Sequence, residues 1–179
     1  MLAAATRLFA SSATPEPSMR AIANEAGVGI ATLYRHFPTR ESLVDAVYQD
    51  QVARLTSGAH DLLARHDPAT ALRRWMDLFG DWIATKRGML ETLLAMVETG
   101  EIAHAQTRDE LLGAIDEMLR AGRASGDLRD DVAADDVAAA LIGIFTVAGP
   151  GRDELGRRLL DLLLDGMRAG AQARHDTVG

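Results

Sequence analysis

The stretch that most constrains the fold runs from residue 18 to residue 37. Ser18 stands where a helix N-cap is expected, because its hydroxyl can accept a backbone N–H of the first turn. Gly27 follows that helix and fits the left-handed position at its end, which glycine adopts at low cost. Pro38 ends a second helix over 29–37, since it lacks an N–H and disfavours helical geometry before it. The pattern is typical of a helix-turn-helix, whose second helix enters the major groove of DNA.

The outward face of the second helix carries groups suited to DNA. Arg35 and His36 can donate hydrogen bonds to base edges or phosphates, and the hydroxyls of Thr32 and Tyr34 can reach phosphate oxygens. The apolar side chains of Ile30 and Ala31 can touch a thymine methyl. The alternative is a three-helix unit that only packs, with a polar outer face because it is solvated. The residues expected to bind DNA are Ser18, Arg20, Gly29, Ile30, Ala31, Thr32, Tyr34, Arg35, His36 and Arg40.

The run AIANEAGVGIATLYRHFPTRESL resembles the tetracycline-repressor (TetR) family of bacterial transcriptional regulators. It holds the family's Ile-Ala pair, Ala-Gly-Val turn, Thr-Leu-Tyr recognition core, aromatic pair ending in Phe, and basic-acidic pair before Leu. The resemblance covers about the first 55 residues. Further along, Lys86-Arg87-Gly88 and the run LLLDGMR over 162–168 resemble an actinobacterial, SbtR-like subgroup. The resemblance implies a DNA-binding head and a body that binds a small effector and dimerises through its last two helices.

Three positions depart from the family pattern and predict fewer DNA contacts than usual. Gly29 stands where the family often has a phosphate-binding serine, and Ile30 where a basic or polar residue is common. Ala21 replaces an acid that often completes the N-terminal cap, so the cap is weaker. Members of the family usually carry a basic arm before the first helix, and such an arm would add phosphate or minor-groove contacts.

The net charge of −7 is unusual for a DNA-binding protein, but its distribution explains it. Residues 1–57 carry five arginines and five acids, so the whole negative charge falls on residues 58–179. A neutral head on an acidic body suits a protein that meets DNA through one end only. There is no cysteine, and the longest apolar run is too short to span a bilayer. These features predict a cytoplasmic protein that makes no membrane contact.

Apolar residues recur at helical spacing along the whole chain, and no segment alternates as a strand would. The sequence therefore predicts an all-α fold of about nine helices. It divides into a head with a connecting helix over 1–57 and an effector-binding, dimerising body over 58–179. The expected helices span Leu2–Ala10, 18–26, 29–37, Thr39 to about Ser57, three amphipathic segments between Asp67 and Gly126, Ala133–Ala148 and Arg152–Ala169, with a loop over Ser11–Pro17 and a break at Gly149-Pro150-Gly151.

The last two predicted helices, 133–148 and 152–169, are apolar on more than one face. Such helices must be buried on more than one face, and a body of this size cannot cover both of them. We therefore expect a homodimer through these two helices. The small residues that would permit close approach are Ala138, Ala139, Ala140 and Gly143. The alternative is a thick core within one chain.

The middle helices of the body carry aromatic residues and methionines that suit an adaptable, apolar effector pocket. Plain core packing is the alternative, because apolar residues at helical spacing usually pack. Thr92, Glu98, His104 and Gln106 are polar residues near this set that could orient a ligand. The residues expected to line the pocket are Trp75, Phe79, Trp82, Met89, Leu93, Met96, Met118 and Phe145.

Nothing in the sequence points to catalysis or to a cofactor. The histidines lack the spacing of a metal site, and the acids at 130, 131, 135 and 136 are explained by helix capping. No nucleophile motif or glycine-rich phosphate loop is present. We expect a ligand-responsive repressor that a small effector releases from a near-palindromic, double-stranded DNA operator. Two alternatives stay open: an enzyme or carrier on a helical bundle, and a dimerisation or small-molecule-binding protein without operator binding.

Overall fold

A computed structural model describes residues 1–11, 16–98, 104–149 and 153–170, and every regular element within these ranges is an α-helix. This confirms the all-α fold and the expected number of helices. The helices are α1 Leu2–Ser11, α2 Met19–Glu25, α3 Ile30–His36, α4 Arg40–Leu63, α5 Pro68–Gly88, α6 Leu90–Glu98, α7 His104–Ser125, α8 Ala134–Val147 and α9 Asp153–Met167. Within these ranges, none of the helices is long and apolar enough to cross a bilayer. The expected loop over 11–17 and the break at 149–151 lie mostly outside the described residues.

The predicted end of α4 near Ser57 is wrong, because the helix continues to Leu63. Gly58 lies inside the observed helix, although glycine is unfavourable in a helix interior. In the structure the side chain of Leu78 packs onto Gly58, and a Cβ there would stand 3.2 Å from Leu78 Cδ1. Glycine thus permits a close approach at this position, and the packing outweighs its low helix propensity.

Two helix starts are fixed by side chains, as the sequence predicts. The Thr39 hydroxyl accepts the backbone N–H of Ser42 at 3.1 Å, and the Ser42 hydroxyl accepts that of Thr39 at 3.2 Å. These reciprocal bonds satisfy donors that the first turn of α4 leaves open. A carboxylate oxygen of Asp67 accepts the N–H of Thr70 at 2.9 Å, directly before Pro68 opens α5.

The chain forms two compact units, and α4, α5 and α7 contribute residues to both. The first unit contains residues 1–54 and 80–107, and the second contains residues 55–79 and the chain from 108 onward. The expected division between residues 57 and 58 is a division of the sequence and stays a prediction. The first unit buries Phe9, Ile22, Leu33, Leu43, Tyr48, Met89 and Leu93, and the second buries Leu55, Leu72, Trp75, Met76, Ile115, Met118 and Leu119.

Each unit has an aromatic residue at the centre of its packing. In the first, the rings of Tyr48 and Trp82 lie 6.5 Å apart, joining α4 to α5. In the second, the Trp75 indole N–H donates to the carbonyl oxygen of Leu55 at 2.8 Å. That bond satisfies the polar atom of a fully buried side chain, which would otherwise be costly to desolvate.

The end of α5 packs closely against the end of α1 in the first unit. A Cβ at Gly88 would overlap the carbonyl oxygen of Phe9 and stand 2.5 Å from its carbonyl carbon. Both clashes are with backbone, which cannot move aside as a flexible side chain can. Gly88 is therefore required because α1 occupies the space of a side chain.

We expect Gly88→Ala to lower the free energy of unfolding by about 1–3 kcal/mol, because overpacking forces α1 away from α5. Gly113→Ala is the matched control, since nothing lies within 4 Å of a Cβ at that helical position. The control should be neutral or more stable by about 0.5–1 kcal/mol. Urea denaturation followed by circular dichroism measures both, and equal effects of the two changes would contradict the close contact.

Candidate nucleic-acid interface

The turn between α2 and α3 has the geometry that the sequence predicts. The Ser18 hydroxyl accepts the N–H of Ala21 at 3.2 Å and so caps α2. Gly27 has φ +66°, in the left-handed region, with no neighbouring atom that would obstruct a side chain. The N–H of Val28 then donates to the carbonyl oxygen of Ala23 at 3.0 Å, which closes the turn. The need for glycine at position 27 is therefore conformational and not a matter of space.

Helix α3 presents most of its surface outward. Leu33 is its buried residue, whereas Ala31, Tyr34, Arg35 and His36 are exposed, Tyr34 by 46 %. Thr32 and Ile30 are half-buried, and Gly29 caps the helix through its backbone without a side-chain hydrogen bond. The structure thus brings the expected residues of α3 to one surface.

The arginines of the first 57 residues divide into paired and unpaired side chains. Arg7 meets Glu25 at 3.0 Å, Arg54 meets Asp50 at 3.1 Å, and Arg40 meets Glu16. Neither Arg20 nor Arg35 has a carboxylate partner among the described residues, and both are exposed. The overall neutrality of the segment therefore conceals two uncompensated positive charges, one on α2 and one on α3. Such charges are free to meet phosphates or base edges.

The guanidinium of Arg40, a residue expected from the sequence to bind DNA, is bonded to other residues of the first unit. Its Nη1 donates to the carbonyl oxygen of Pro17 at 2.7 Å, and its Nε donates to the Thr92 hydroxyl at 2.9 Å. Nη2 pairs with Glu16, and the guanidinium carbon lies 5.9 Å from the ring centroid of Phe9. These donors are occupied, so we omit Arg40 from the residues proposed to contact DNA.

Glu16 is the other half of this buried network. One carboxylate oxygen accepts the Thr92 backbone N–H at 3.1 Å, and the other accepts the Thr92 hydroxyl at 2.7 Å. Burial by itself would raise the pKa of Glu16, but the hydrogen bonds from Arg40 and Thr92 outweigh it and hold that pKa below its ordinary value. We call Glu16, Arg40 and Thr92 the triad; it joins the segment before α2 to the starts of α4 and α6.

The triad also changes the interpretation of Thr92, which the sequence suggested as a residue that orients a ligand. Its hydroxyl and its N–H are both engaged with Glu16. No sequence motif marks Glu16, which lies 76 positions from Thr92. Only the spatial proximity of the two residues reveals the pair.

The residues expected to line an effector pocket are present in both units. Trp82, Met89, Leu93 and Met96 belong to the first, and Trp75, Phe79, Met118 and Phe145 to the second. All are buried except Phe145, which is half-buried and whose ring lies 6.1 Å from that of Phe79. Of the polar neighbours, the His104 side chain lies outside the described part of the chain. Their role as pocket residues stays a prediction.

A groove in the second unit was not predicted from the sequence. It has a volume of about 420 Å³ and opens between α5 and α9. Arg73 crosses it with bonds to Asp161 at 2.6 Å and to Asp77 at 2.7 Å. The pairing of Arg73 with Asp161 spans 88 positions, so sequence spacing gives no sign of it. The lining residues are Thr70, Arg73, Arg74, Asp161, Leu164, Asp165 and Arg168.

Helices α8 and α9 leave apolar side chains uncovered within one chain. Val137 and Leu141 of α8, with Leu160 and Leu164 of α9, are buried. Three large apolar side chains on these helices remain exposed: Ile142 by 56 %, Val147 by 59 % and Leu162 by 66 %. Large apolar side chains left exposed on neighbouring helices are consistent with an interaction site.

Comparison with known proteins is consistent with this arrangement. Residues 1–47 match the family described as bacterial regulatory proteins, tetR family, and residues 67–169 match the C-terminal domain of SbtR-like transcriptional regulators. The chain is 28% identical over 147 residues to the HTH-type transcriptional regulator EthR of Mycolicibacterium smegmatis, covering 79% of this chain and 67% of that protein.

Solved structures share the fold over nearly the whole chain. The TetR transcriptional regulator SCO0520 from Streptomyces coelicolor is 42% identical, with a TM-score of 0.85 and coverage of 94% of this chain and 97% of that one. A TetR transcription regulatory protein from Mycobacterium vanbaalenii is 32% identical, with a TM-score of 0.71 and coverage of 93% and 92%. The chain therefore belongs to the TetR family of bacterial transcriptional regulators, with an SbtR-like C-terminal domain, and it is not an enzyme.

Proposed function

We propose that this regulator is a repressor that leaves a near-palindromic DNA operator when a small molecule binds to it. The observation that carries the DNA-binding part is the exposed face of α3, where Arg35 has no carboxylate partner among the described residues. Arg20 on α2 supplies a second exposed charge without a carboxylate partner among the described residues. Arg35 donates to base edges, whereas Arg20, Thr32 and Tyr34 position the helix on phosphates. Operator binding assigns the protein to the cytoplasm.

The operator-bound form is proposed to be a homodimer through α8 and α9. The exposed Ile142, Val147 and Leu162 support this, because a second copy would cover them. Two copies of α3 then lie about one turn of DNA apart, roughly 34 Å, and a two-fold symmetric protein reads a palindromic sequence.

We infer that the triad transmits effector binding from α6 to the helix-turn-helix. Thr92 lies on α6 next to Leu93 and close to Met96, both expected to contact the effector. The same Thr92 is bonded to Glu16 and Arg40, at the starts of the segments that carry α2 and α4. A displacement of α6 therefore acts directly on the helices that position α3. The effector changes the population of the DNA-binding state by its difference in affinity for the two states.

Arg35→Ala should weaken the free energy of binding to the preferred operator by about 1–3 kcal/mol and should relax the base preference at one position of the operator. Arg20→Ala should weaken binding to all sequences alike and reduce the slope of log affinity against log salt by about one. Fluorescence anisotropy with operators selected from random DNA measures both effects.

The control for these variants is Arg54→Ala, which removes an arginine that already pairs with Asp50. Its operator affinity should change little. If Arg35→Ala loses the same affinity on every operator variant, Arg35 does not read a base. An unaltered chain that gives no gel shift with its own upstream region at low salt would overturn the regulator proposal.

Leu162→Arg should convert the dimer into monomers and abolish high-affinity operator binding, because a charge cannot be buried unpaired in an apolar interface. Leu162 is 66 % exposed in one chain, so the free energy of unfolding of that chain should change by no more than about 0.5 kcal/mol. Leu94→Arg is the control, since Leu94 is also exposed but lies on α6. Sedimentation equilibrium distinguishes the outcomes, and a dimeric Leu162→Arg protein would exclude this interface.

Glu16→Gln should lower the free energy of unfolding by about 1–2 kcal/mol at pH 7, because Arg40 loses its buried anion. The folded-state pKa of Glu16 is lowered, so its stabilisation is present above the unfolded pKa and is lost as the pH falls through the folded one. The difference from the natural chain should therefore shrink below about pH 4.

Urea denaturation at several pH values measures this difference. Glu25→Gln is the matched control, because it breaks the exposed pair with Arg7 and should cost at most about 1 kcal/mol. If the loss for Glu16→Gln at pH 7 matches that of the control, or persists fully in acid, the triad is not the electrostatic contact described above.

A further inference from the structure

The single lysine of the chain, Lys86, has an unusual environment. It lies near the end of α5, one helical turn after Trp82, and its side chain is half-buried. The ammonium nitrogen lies 5.1 Å from the centroid of the Trp82 ring. An ammonium over an indole face is a cation–π contact, which is worth most where water is excluded.

Among the described residues, no carboxylate of this chain pairs with the Lys86 ammonium. Arg40 and Arg73, the other half-buried basic groups considered above, each bond to carboxylates. Burial lowers the pKa of Lys86, and no acidic side chain in the described part of the chain opposes that effect. Removing a cation from water is costly when no anion pairs with it. An anion that binds beside the Lys86 ammonium therefore compensates for the hydration that the ammonium has lost.

The aromatic group beside Lys86 is itself buried in the first unit. Trp82 is 6 % exposed and its ring contacts that of Tyr48, while Met89 follows Lys86 by three positions and is fully buried. Thr85 is buried, but its hydroxyl already donates to the carbonyl oxygen of Asp81 at 2.9 Å. The Lys86 ammonium is thus a cationic donor beside an apolar, aromatic group. Such a combination matches a molecule with an anionic head and an apolar body.

We propose that Lys86 anchors the effector, and that the effector is an amphipathic carboxylate whose anionic head meets the Lys86 ammonium while its apolar body lies along Trp82. This proposal rests on the proposed ligand response and names the chemical class of its ligand. A charge-assisted hydrogen bond to a carboxylate is shorter and stronger than one between neutral groups.

Decanoate and 3-phenylpropionate, each compared with the alcohol of the same skeleton, test this proposal by calorimetric titration of the full chain. Each carboxylate should bind about tenfold more tightly than its alcohol, the effect of one charge-assisted bond. Lys86→Met should remove that preference and leave alcohol binding unchanged, whereas Lys86→Arg should retain most of it. Arg65→Met is the control, because it removes one exposed positive charge elsewhere.

Three results would overturn the assignment: equal binding of acids and alcohols by the natural chain, a preference that survives in Lys86→Met, or no binding of either carboxylate. Circular dichroism of each variant confirms that it is folded before titration. Operator binding is measured on the same preparations without ligand. A failure there counts against the regulator proposal and leaves the carboxylate titration interpretable, so the two proposals fail separately.

Discussion

The packing of the first unit, which contains the helix-turn-helix, depends on the charge pair between Glu16 and Arg40. Both side chains are largely buried, and an unpaired charge in such a place would cost more than the pair gains. Each partner is therefore tied to further groups: Arg40 to the Pro17 carbonyl and Glu16 to Thr92. Because these groups come from three distant parts of the chain, the pair fixes α2, α4 and α6 relative to one another within the first unit.

The pairing of arginines with acids also determines which arginines are available to contact DNA. Three of the five arginines in the first 57 residues are neutralised by acids of the same segment. Among the arginines of this segment, Arg20 and Arg35 are left without a carboxylate partner in the described part of the chain. Because Gly29 and Ile30 contribute no polar side chain to α3, we expect operator affinity to depend on few contacts. We also expect electrostatic attraction to DNA outside the operator to be weak.

The sequence predicted the local features well because their causes are local. Ser18 caps α2, Gly27 adopts the left-handed backbone and Asp67 opens α5, each through contacts within a few residues. The end of α4 could not be predicted in the same way, since glycine at position 58 is compensated by Leu78 from another helix. Helix propensity is a weak preference that tertiary packing readily outweighs.

The sequence by itself determined the all-α fold, the helix-turn-helix and the family, because periodicity, caps and motif residues act over short distances along the chain. The tertiary structure decided which charged side chains are paired inside the protein and which are exposed and able to meet a partner. Arg40 and Arg35 are both arginines near the motif, yet one is bonded to Glu16 and the other is exposed. The position of the Lys86 ammonium over the Trp82 ring is likewise seen only in the tertiary structure. Charge interactions depend on distance in space and on burial, and neither is encoded in the spacing of residues along the chain.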